Sequence, residues 1–158
     1  MKIIYFFYQL LIALPILLAA TILTCTTIIV GTSIGNAHFW SYWPGKIWSM
    51  LFCYVLLLPV RVKRNPNVRK DTSYVFVANH QGAFDIFMIY GFLGHDFKWL
   101  MKKGIRKIPL IGKASESAGH IFVDKSGPKK IYATIMHARK VLTGGTSLVI
   151  FPEGSRSF

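Results

Sequence analysis

A histidine and an aspartate stand five residues apart in the segment Asn79-His80-Gln81-Gly82-Ala83-Phe84-Asp85. Residues at that spacing lie about 140° apart around a helix axis, so their side chains meet easily only on a turn from a strand into a helix. Gly82 permits the tight backbone of such a turn. There the Asp85 carboxylate can accept a hydrogen bond from one imidazole nitrogen of His80 and leave the other as a base for a hydroxyl proton. Taken alone, such a segment more often contains an ordinary turn histidine.

A second segment whose residues could bind a ligand is Phe-Pro-Glu-Gly-Ser-Arg at 151–156, directly after a predicted strand. Loops at strand ends carry the ligand sites of α/β sheets. The Arg156 guanidinium can hold a phosphate through two hydrogen bonds, Gly154 allows close backbone approach, and Ser155 adds a hydroxyl. A structural turn with Glu153 paired to Arg156 is equally compatible with these residues alone.

A third segment is basic. The segment from Lys98 to Lys113 contains six Lys and Arg residues, both ends included, and no acidic residue. They could bind the phosphates of a nucleotide-linked donor, an acidic carrier protein or a bilayer surface. A solvated basic face is the default interpretation for most of them. The lysines selected as candidate binding residues are Lys102, Lys103 and Lys125.

The elements that would position these segments alternate between strand and helix. Runs rich in β-branched and aromatic residues predict strands at 74–78, 97–101, 121–123 and 147–151. An apolar stretch that opens with Asp85 predicts a buried helix with an acidic residue in its first turn. Another helix is predicted from Pro128 to Gly144, because its apolar residues recur at spacings of three and four. This alternation predicts an α/β fold, a sandwich around a mixed or parallel sheet.

The front of the chain is apolar. The run Ile3 to Gly31 contains no charged residue and exceeds the roughly 20 apolar residues needed to cross a bilayer. A second run, 47–60, spans only if residues 40–46 are included. Residues 1–60 are therefore predicted to form membrane-associated helices, as a hairpin or a re-entrant pair, and 61–158 an α/β domain. A cleaved signal peptide fits less well, since its hydrophobic region is usually about 7–15 residues.

The charge is strongly asymmetric. The 158-residue chain has a net charge of +13, and nearly all of its 19 Lys and Arg residues follow Lys46. The apolar front favours anionic lipid or a phosphorylated substrate over nucleic acid, for which no binding is predicted. A basic cluster without an acidic residue follows the second apolar run and favours the cytoplasmic side: Arg61, Lys63, Arg64, Arg69 and Lys70. Cys25 and Cys53 have no metal-type spacing, so no metal site is predicted.

Together these segments resemble the lysophosphatidic acid acyltransferase family of the glycerolipid acyltransferases, from the apolar N-terminus to Phe158. The motifs that carry the resemblance are His-x4-Asp at His80 and Asp85, the basic segment with Pro109 and Gly112, the block from Gly119 to Lys125, and the Phe-Pro-Glu-Gly-Ser-Arg block at 151–156. Their combination is more specific than any one of them.

The resemblance implies transfer of a fatty acyl group from acyl-CoA or acyl carrier protein to the sn-2 hydroxyl of 1-acyl-glycerol-3-phosphate, without a cofactor. In such enzymes the His-Asp pair activates the acceptor hydroxyl, the second and third blocks hold the acceptor's phosphate and glycerol, and the N-terminal helices dock on the membrane. The residues expected to bind substrate are Asn79, Gly82, Lys102, Lys103, Lys125, Glu153, Gly154, Ser155 and Arg156.

Three features depart from the family pattern. Lys125 stands where arginine is usual, and Gly104 stands where many relatives have an acidic residue. The family carries further strands and a fourth, proline-containing block beyond the position of Phe158, so the C-terminal part of the domain is expected to be missing. Two other functions fit the residues: acylation of another lysophospholipid or an amino-lipid, and catalytically silent lipid binding by a membrane-anchored protein.

Overall fold

The computed structural model describes residues 2–152, which divide into two compact units. The first unit contains the residues up to 62 together with 83–93, and its regular elements are helical. The second unit contains residues 63–82 together with those from 94 onward, and it holds the β-sheet. Strands and helices alternate along the second half of the chain, so the predicted α/β class is confirmed.

One long apolar helical segment opens the first unit. Helix α1 (Lys2–Tyr8), a π-helical segment (Gln9–Ala13) and helix α2 (Leu14–Ile34) follow one another without a break. Ile3–Ile34 has a mean hydropathy of 2.3 and is the one helix in the described part of the chain that is long and apolar enough to cross a membrane. Five of its hydroxyl groups donate to carbonyl oxygens one turn earlier, which satisfies them without water: those of Thr21, Thr26, Thr27, Thr32 and Ser33.

Helix α3 (Ala37–Val55) folds back on this segment as the second arm of a helical hairpin. Trp48 Nε1 donates to Thr21 Oγ1 at 2.9 Å, and the Tyr8 hydroxyl donates to the Val55 carbonyl at 2.8 Å. The later residue of α3 thus contacts the earlier residue of the first arm, so the two arms are antiparallel.

Helix α4 (Phe84–Phe92) belongs to the same unit and packs on α3. The rings of Phe52 and Phe87 stack with their centroids 4.1 Å apart and their planes 7° apart. Tyr90 lies against Gly45, where a Cβ atom would overlap its ring. This packing confirms the predicted helix, and Asp85 falls in its first turn as expected.

Four parallel strands form the sheet of the second unit: β1 (Val75–Val77), β2 (Phe97–Lys102), β3 (Ile121–Val123) and β4 (Ser147–Ile150). Their order is β1-β4-β2-β3. All four predicted strands are confirmed to within one residue at each end. Since every pair among the described strands is parallel, their carboxyl ends share one edge of the sheet, hereafter the carboxyl edge.

Two helices and a short turn complete this unit. A 3₁₀ turn (Lys103–Lys107) and helix α5 (Ile111–Ser117) connect β2 to β3, and helix α6 (Pro128–Thr143) connects β3 to β4. Helix α6 confirms the prediction from periodicity, whereas α5 was not predicted. The fully buried side chains of the sheet are those of Phe97, Ile121, Leu148 and Val149.

Candidate active site

Candidate residues from three separate segments follow strands at the carboxyl edge. The loop after β1 contains Asn79, His80 and Gly82. Lys102 ends β2 and Lys103 begins the 3₁₀ turn, while Lys125 comes two residues after β3. Neighbouring strands lie about 4.8 Å apart, and only β4 separates β1 from β2, so the ends of β1 and β2 are about 10 Å apart. The fold therefore brings the predicted base and the three predicted lysine ligands to the carboxyl edge.

An aromatic stack holds His80. Its imidazole lies on the Phe151 ring with centroids 4.3 Å apart and planes 22° apart, and Phe151 stacks on Trp99 with centroids 5.4 Å apart. Trp99 is buried in β2, so the stack reaches from the core of the sheet to the imidazole. Stacking of this kind restricts the orientation of the ring. Phe151 was not predicted as a site residue, although its place directly after a strand end was a usable signal.

Asp85 is half-buried in the first turn of α4, within the first unit. A carboxylate is stabilised at that position by the partial positive charge of the helix N-terminus. The helix begins at Phe84, so the segment between His80 and Asp85 is mostly non-helical, as a strand-to-helix turn requires. Pairing of the two side chains stays a prediction.

Gly82 does not have the special backbone conformation that a tight turn would require of a glycine. The glycines with positive φ are Gly94, Gly119 and Gly145, and Gly82 is not one of them. A Cβ atom added at Gly82 would meet no atom of the described structure within 4 Å. The backbone conformation therefore does not explain a glycine here, and its surroundings are open.

One carboxylate holds two lysines beside the ends of β2 and β3. Lys103 Nζ lies 2.8 Å and Lys130 Nζ 3.4 Å from Oδ2 of Asp124, whose Oδ1 accepts a hydrogen bond from the Ser126 N–H at 3.0 Å. The Lys103 ammonium, followed by the side chain and then the N–H of Ser126, holds the pKa of the Asp124 carboxyl well below its usual range. Two positive charges face one negative charge, so this cluster keeps an excess of positive charge for an anion.

Asp124 and Lys130 were not predicted as site residues. Asp124 directly follows a strand in the same way as the other candidates, which was the signal available in the sequence. Lys130 lies in α6, and only the fold brings it to Asp124. Lys102 and Lys125 are exposed beside this cluster.

The segment that contains Pro109 and Gly112 packs against the turn that begins at Lys103. Arg106 in this turn forms an ion pair with Glu116 of α5 and lowers the pKa of that carboxyl. A Cβ atom at Gly112 would overlap the backbone of Arg106, so glycine is required where α5 crosses the turn. Gly112, one of the residues that carry the family resemblance, thus has a packing function in this chain.

Four predicted substrate-binding residues lie outside the described residues: Glu153, Gly154, Ser155 and Arg156. Their binding of phosphate stays a prediction. Within residues 2–152, no group of three or more His, Cys, Asp and Glu side chains has the arrangement of a metal site. Cys25 and Cys53 are buried free thiols. Catalysis without a metal or cofactor, and the lack of nucleic-acid binding, also stay predictions.

Residues 59–158 match a family model described as Acyltransferase. The chain belongs to the acyltransferase family. The match contains the candidate residues of the loop after β1, of β2 and its turn, and of the segment after β3. The family resemblance stated from the motifs is therefore confirmed.

Similar proteins agree with this assignment. The acyltransferase chain is 32% identical over 113 residues to the chloroplastic 1-acyl-sn-glycerol-3-phosphate acyltransferase LPAT1 of Arabidopsis thaliana, over 71% of this chain and 31% of that protein. It is 33% identical over 104 residues to the 1-acyl-sn-glycerol-3-phosphate acyltransferase of Helicobacter pylori, over 66% of this chain and 44% of that protein. The chain thus spans less than half the length of these relatives.

A solved structure shows the same fold. The crystal structure of the 1-acyl-sn-glycerophosphate (LPA) acyltransferase PlsC from Thermotoga maritima superimposes with a TM-score of 0.74 at 22% sequence identity. The superposition covers 98% of this acyltransferase chain and 61% of that chain.

Proposed function

We propose that this chain transfers a fatty acyl group from acyl-CoA or acyl carrier protein to the sn-2 hydroxyl of 1-acyl-glycerol-3-phosphate, which yields phosphatidic acid for phospholipid synthesis. The observation that carries the proposal is the stacked His80 on the same sheet edge as a lysine cluster with excess positive charge. The names of the similar proteins from Arabidopsis and Helicobacter support the same acceptor.

The chemical step needs a base for the acceptor hydroxyl. His80 accepts the hydroxyl proton while the hydroxyl oxygen attacks the thioester carbonyl carbon. The carbon–sulfur bond then breaks, and the departing thiolate takes the proton from the imidazolium, so the enzyme returns to its starting state without an acyl-enzyme. Imidazole changes its protonation near neutral pH, which suits it to both transfers. Asp85 orients the imidazole and stabilises the imidazolium.

The acceptor's phosphate binds the lysines. The ends of β1 and β2 are about 10 Å apart, and the Lys103 side chain, which contacts Asp124 after β3 in the structure, is flexible enough to turn towards the phosphate of an acceptor whose hydroxyl lies at His80. Before the acceptor arrives, Asp124 holds the Lys103 ammonium beside the end of β3. Lys102, Lys125 and Arg156 add positive charge, and Asn79, Gly82, Glu153, Gly154 and Ser155 contact the acceptor from the loops after β1 and β4.

The substrates are lipids, and the N-terminal segment brings the enzyme to them. Ile3–Ile34 holds the protein in the membrane, and the basic residues after α3 keep the active domain on the cytoplasmic side. In the structure, Arg69 of this basic group forms a 2.7 Å ion pair with Asp71, whose pKa the guanidinium lowers. The remaining cations favour an anionic leaflet.

The test is an acyl-transfer assay of the full-length protein in lipid vesicles, with labelled acyl-CoA or acyl carrier protein and several lysophospholipid or amino-lipid acceptors. We expect the highest kcat/KM with 1-acyl-glycerol-3-phosphate. His80→Ala should lower transfer by at least the roughly 10²-fold typical of a lost positioned base, and so should Asp85→Asn. The double variant should be scarcely worse than either single one, since residues that act as one unit are non-additive.

His137→Ala is the matched control, because His137 is exposed on α6 and is not one of the predicted site residues. It should keep the parent's rate. Near-normal transfer by His80→Ala would disprove the mechanism, whereas preference for another acceptor would leave the mechanism standing and replace the substrate. Tight membrane binding without product from any donor and acceptor would indicate a silent lipid-binding protein.

A further inference from the structure

Helix α6 has an outer face that is apolar and uncovered by the rest of residues 2–152. The exposed fractions are 41% for Ile131, 65% for Tyr132, 57% for Ile135 and 41% for Met136. The inner side of the helix packs on β3 and β4. Single exposed apolar residues are common on soluble proteins, but four neighbours on one face form a patch that calls for a partner.

Positive charge borders this apolar face. Around a helix with about 100° per residue, Lys129 and Lys140 lie within about 40° of Met136 on one border of the face, and Arg139 ends its midline one turn beyond Ile135. The sequence of α6 contains no acidic residue. Lys130 points instead to Asp124. An apolar strip with Lys and Arg at its border is typical of helices that lie in the interface of a bilayer.

The charge pattern selects the partner. Two copies of α6 brought face to face would place their lysines and arginines together, which opposes self-association. An anionic lipid surface instead attracts each of these side chains, and their long aliphatic stems can reach the head groups while the apolar side chains insert. The apolar segment Ile3–Ile34 keeps the chain close to a bilayer, which raises the effective concentration of lipid around α6.

We propose that the outer face of α6 docks on the anionic surface of the membrane, with Ile131, Tyr132, Ile135 and Met136 inserted at the level of the head groups. Tyr132 suits this depth, because its ring is apolar and its hydroxyl group stays hydrated. The contact adds a second membrane attachment, independent of the N-terminal helices and of the acyl-transfer reaction.

The experiment uses the full-length protein reconstituted into vesicles of phosphatidylcholine with or without phosphatidylglycerol. An environment-sensitive fluorescent amino acid replaces Ile135 or, as the matched control on the same helix, the exposed His137. With phosphatidylglycerol present, we expect a blue-shifted emission at position 135 that nitroxide-labelled lipid quenches, and neither effect at position 137. In the double variant Lys129→Gln, Lys140→Gln, the ratio of docked to undocked helix should fall by about thirtyfold, as expected for two lost contacts with anionic lipid.

Three outcomes would overturn the proposal. Emission at position 135 that is as red-shifted and unquenched as at position 137 would show that α6 does not reach the bilayer. A blue-shifted but unquenched label, unaffected by lipid composition, would show that protein covers this face, either a second copy or another part of the same chain. Equal quenching with and without phosphatidylglycerol would show that charge does not select the surface.

Discussion

Each end of the sheet combines a carboxylate with at least one lysine, but the surroundings of the two groups differ. At the carboxyl edge, the Lys103 side chain is 54% exposed and pairs with Asp124, which is 20% exposed. At the opposite end, hereafter the amino edge, Asp96 and His120 directly precede β2 and β3, and Lys98 is the second residue of β2. Both carboxylate oxygens of Asp96 are inaccessible to solvent.

Burial changes the titration of the amino edge. His120 Nδ1 accepts a hydrogen bond from the Trp99 N–H at 3.3 Å, which joins β3 to β2. Burial, assisted by the charge of Lys98, lowers the pKa of His120 to about 3. Burial also lowers the pKa of Lys98, although Asp96 opposes that shift. The amino edge thus holds groups that are desolvated and fixed within the fold.

The amino-edge groups are therefore assigned a structural function, whereas the carboxyl-edge groups are accessible to a ligand. A desolvated group makes the free energy of unfolding depend on its protonation state, whereas exposed pairs contribute little to stability and can exchange partners. Substitutions at the amino edge should therefore change folding, and substitutions at the carboxyl edge should change substrate binding.

The largest effect is expected at His120. Because its folded pKa of about 3 lies below the unfolded value of 6.5, the unfolded state binds more protons between these limits, and stability falls as the pH drops through that window. At about pH 4.5 the loss should be on the order of 2–3 kcal/mol. His120→Asn keeps an acceptor for the Trp99 N–H without a titrating group, so thermal unfolding in detergent should depend less on acid. An unchanged pH dependence would contradict the assignment of His120 as a buried neutral group.

Asp124→Asn should change substrate binding and leave the stability nearly unchanged. Without the carboxylate, Lys103 and Lys130 lose their shared partner, and KM for the phosphate-bearing acceptor should rise about tenfold with little change for the acyl donor. The stability should change by no more than about 1 kcal/mol, because the pair is exposed. Steady-state kinetics with each substrate varied would measure both values. A fall in KM would show that Asp124 competes with phosphate instead of positioning Lys103.

A smaller effect is expected from Gly82→Ala. The added methyl group meets no atom and no strained backbone in the described structure, so the melting temperature should stay close to that of the parent. If the acceptor approaches the backbone here, KM for the acceptor should rise by roughly three- to tenfold, comparable to a clash of about 1 kcal/mol. Gly104→Ala is the control, since its surroundings are equally open. Equal kinetics for both variants would remove Gly82 from the site.

The smallest effect is expected from Lys125→Arg. Arginine provides a planar fork for phosphate and keeps the charge of this exposed residue, so KM for the acceptor should stay within about twofold or improve slightly. Thermal stability should not change. A severe loss of transfer would show that a compact ammonium is required, and Lys125→Gln would then separate the need for charge from the need for shape.

Local sequence patterns predicted the elements that carry the site, but not the contacts between them. The apolar runs located β1 to β4 and α6, and the spacing of His80 and Asp85 located the turn before α4. The stack of His80 on Phe151 and the pair of Lys103 with Asp124 join residues 71 and 21 positions apart, so no local periodicity encodes them. Helix α5 has only seven residues, too few for a clear periodic signal.

The length of the first helical segment limits how it can sit in a bilayer. Its 32 residues, Ile3–Ile34, extend about 48 Å at 1.5 Å per residue, whereas the hydrocarbon core is about 30 Å thick. To fit entirely inside, the segment would need a tilt of about 50°, more than the 0–40° range of transmembrane helices. If the segment crosses a bilayer, at least one turn must lie outside the hydrocarbon, and a thicker bilayer would shorten that excess. A membrane-spanning arrangement of this segment would thus be better matched by a thicker bilayer.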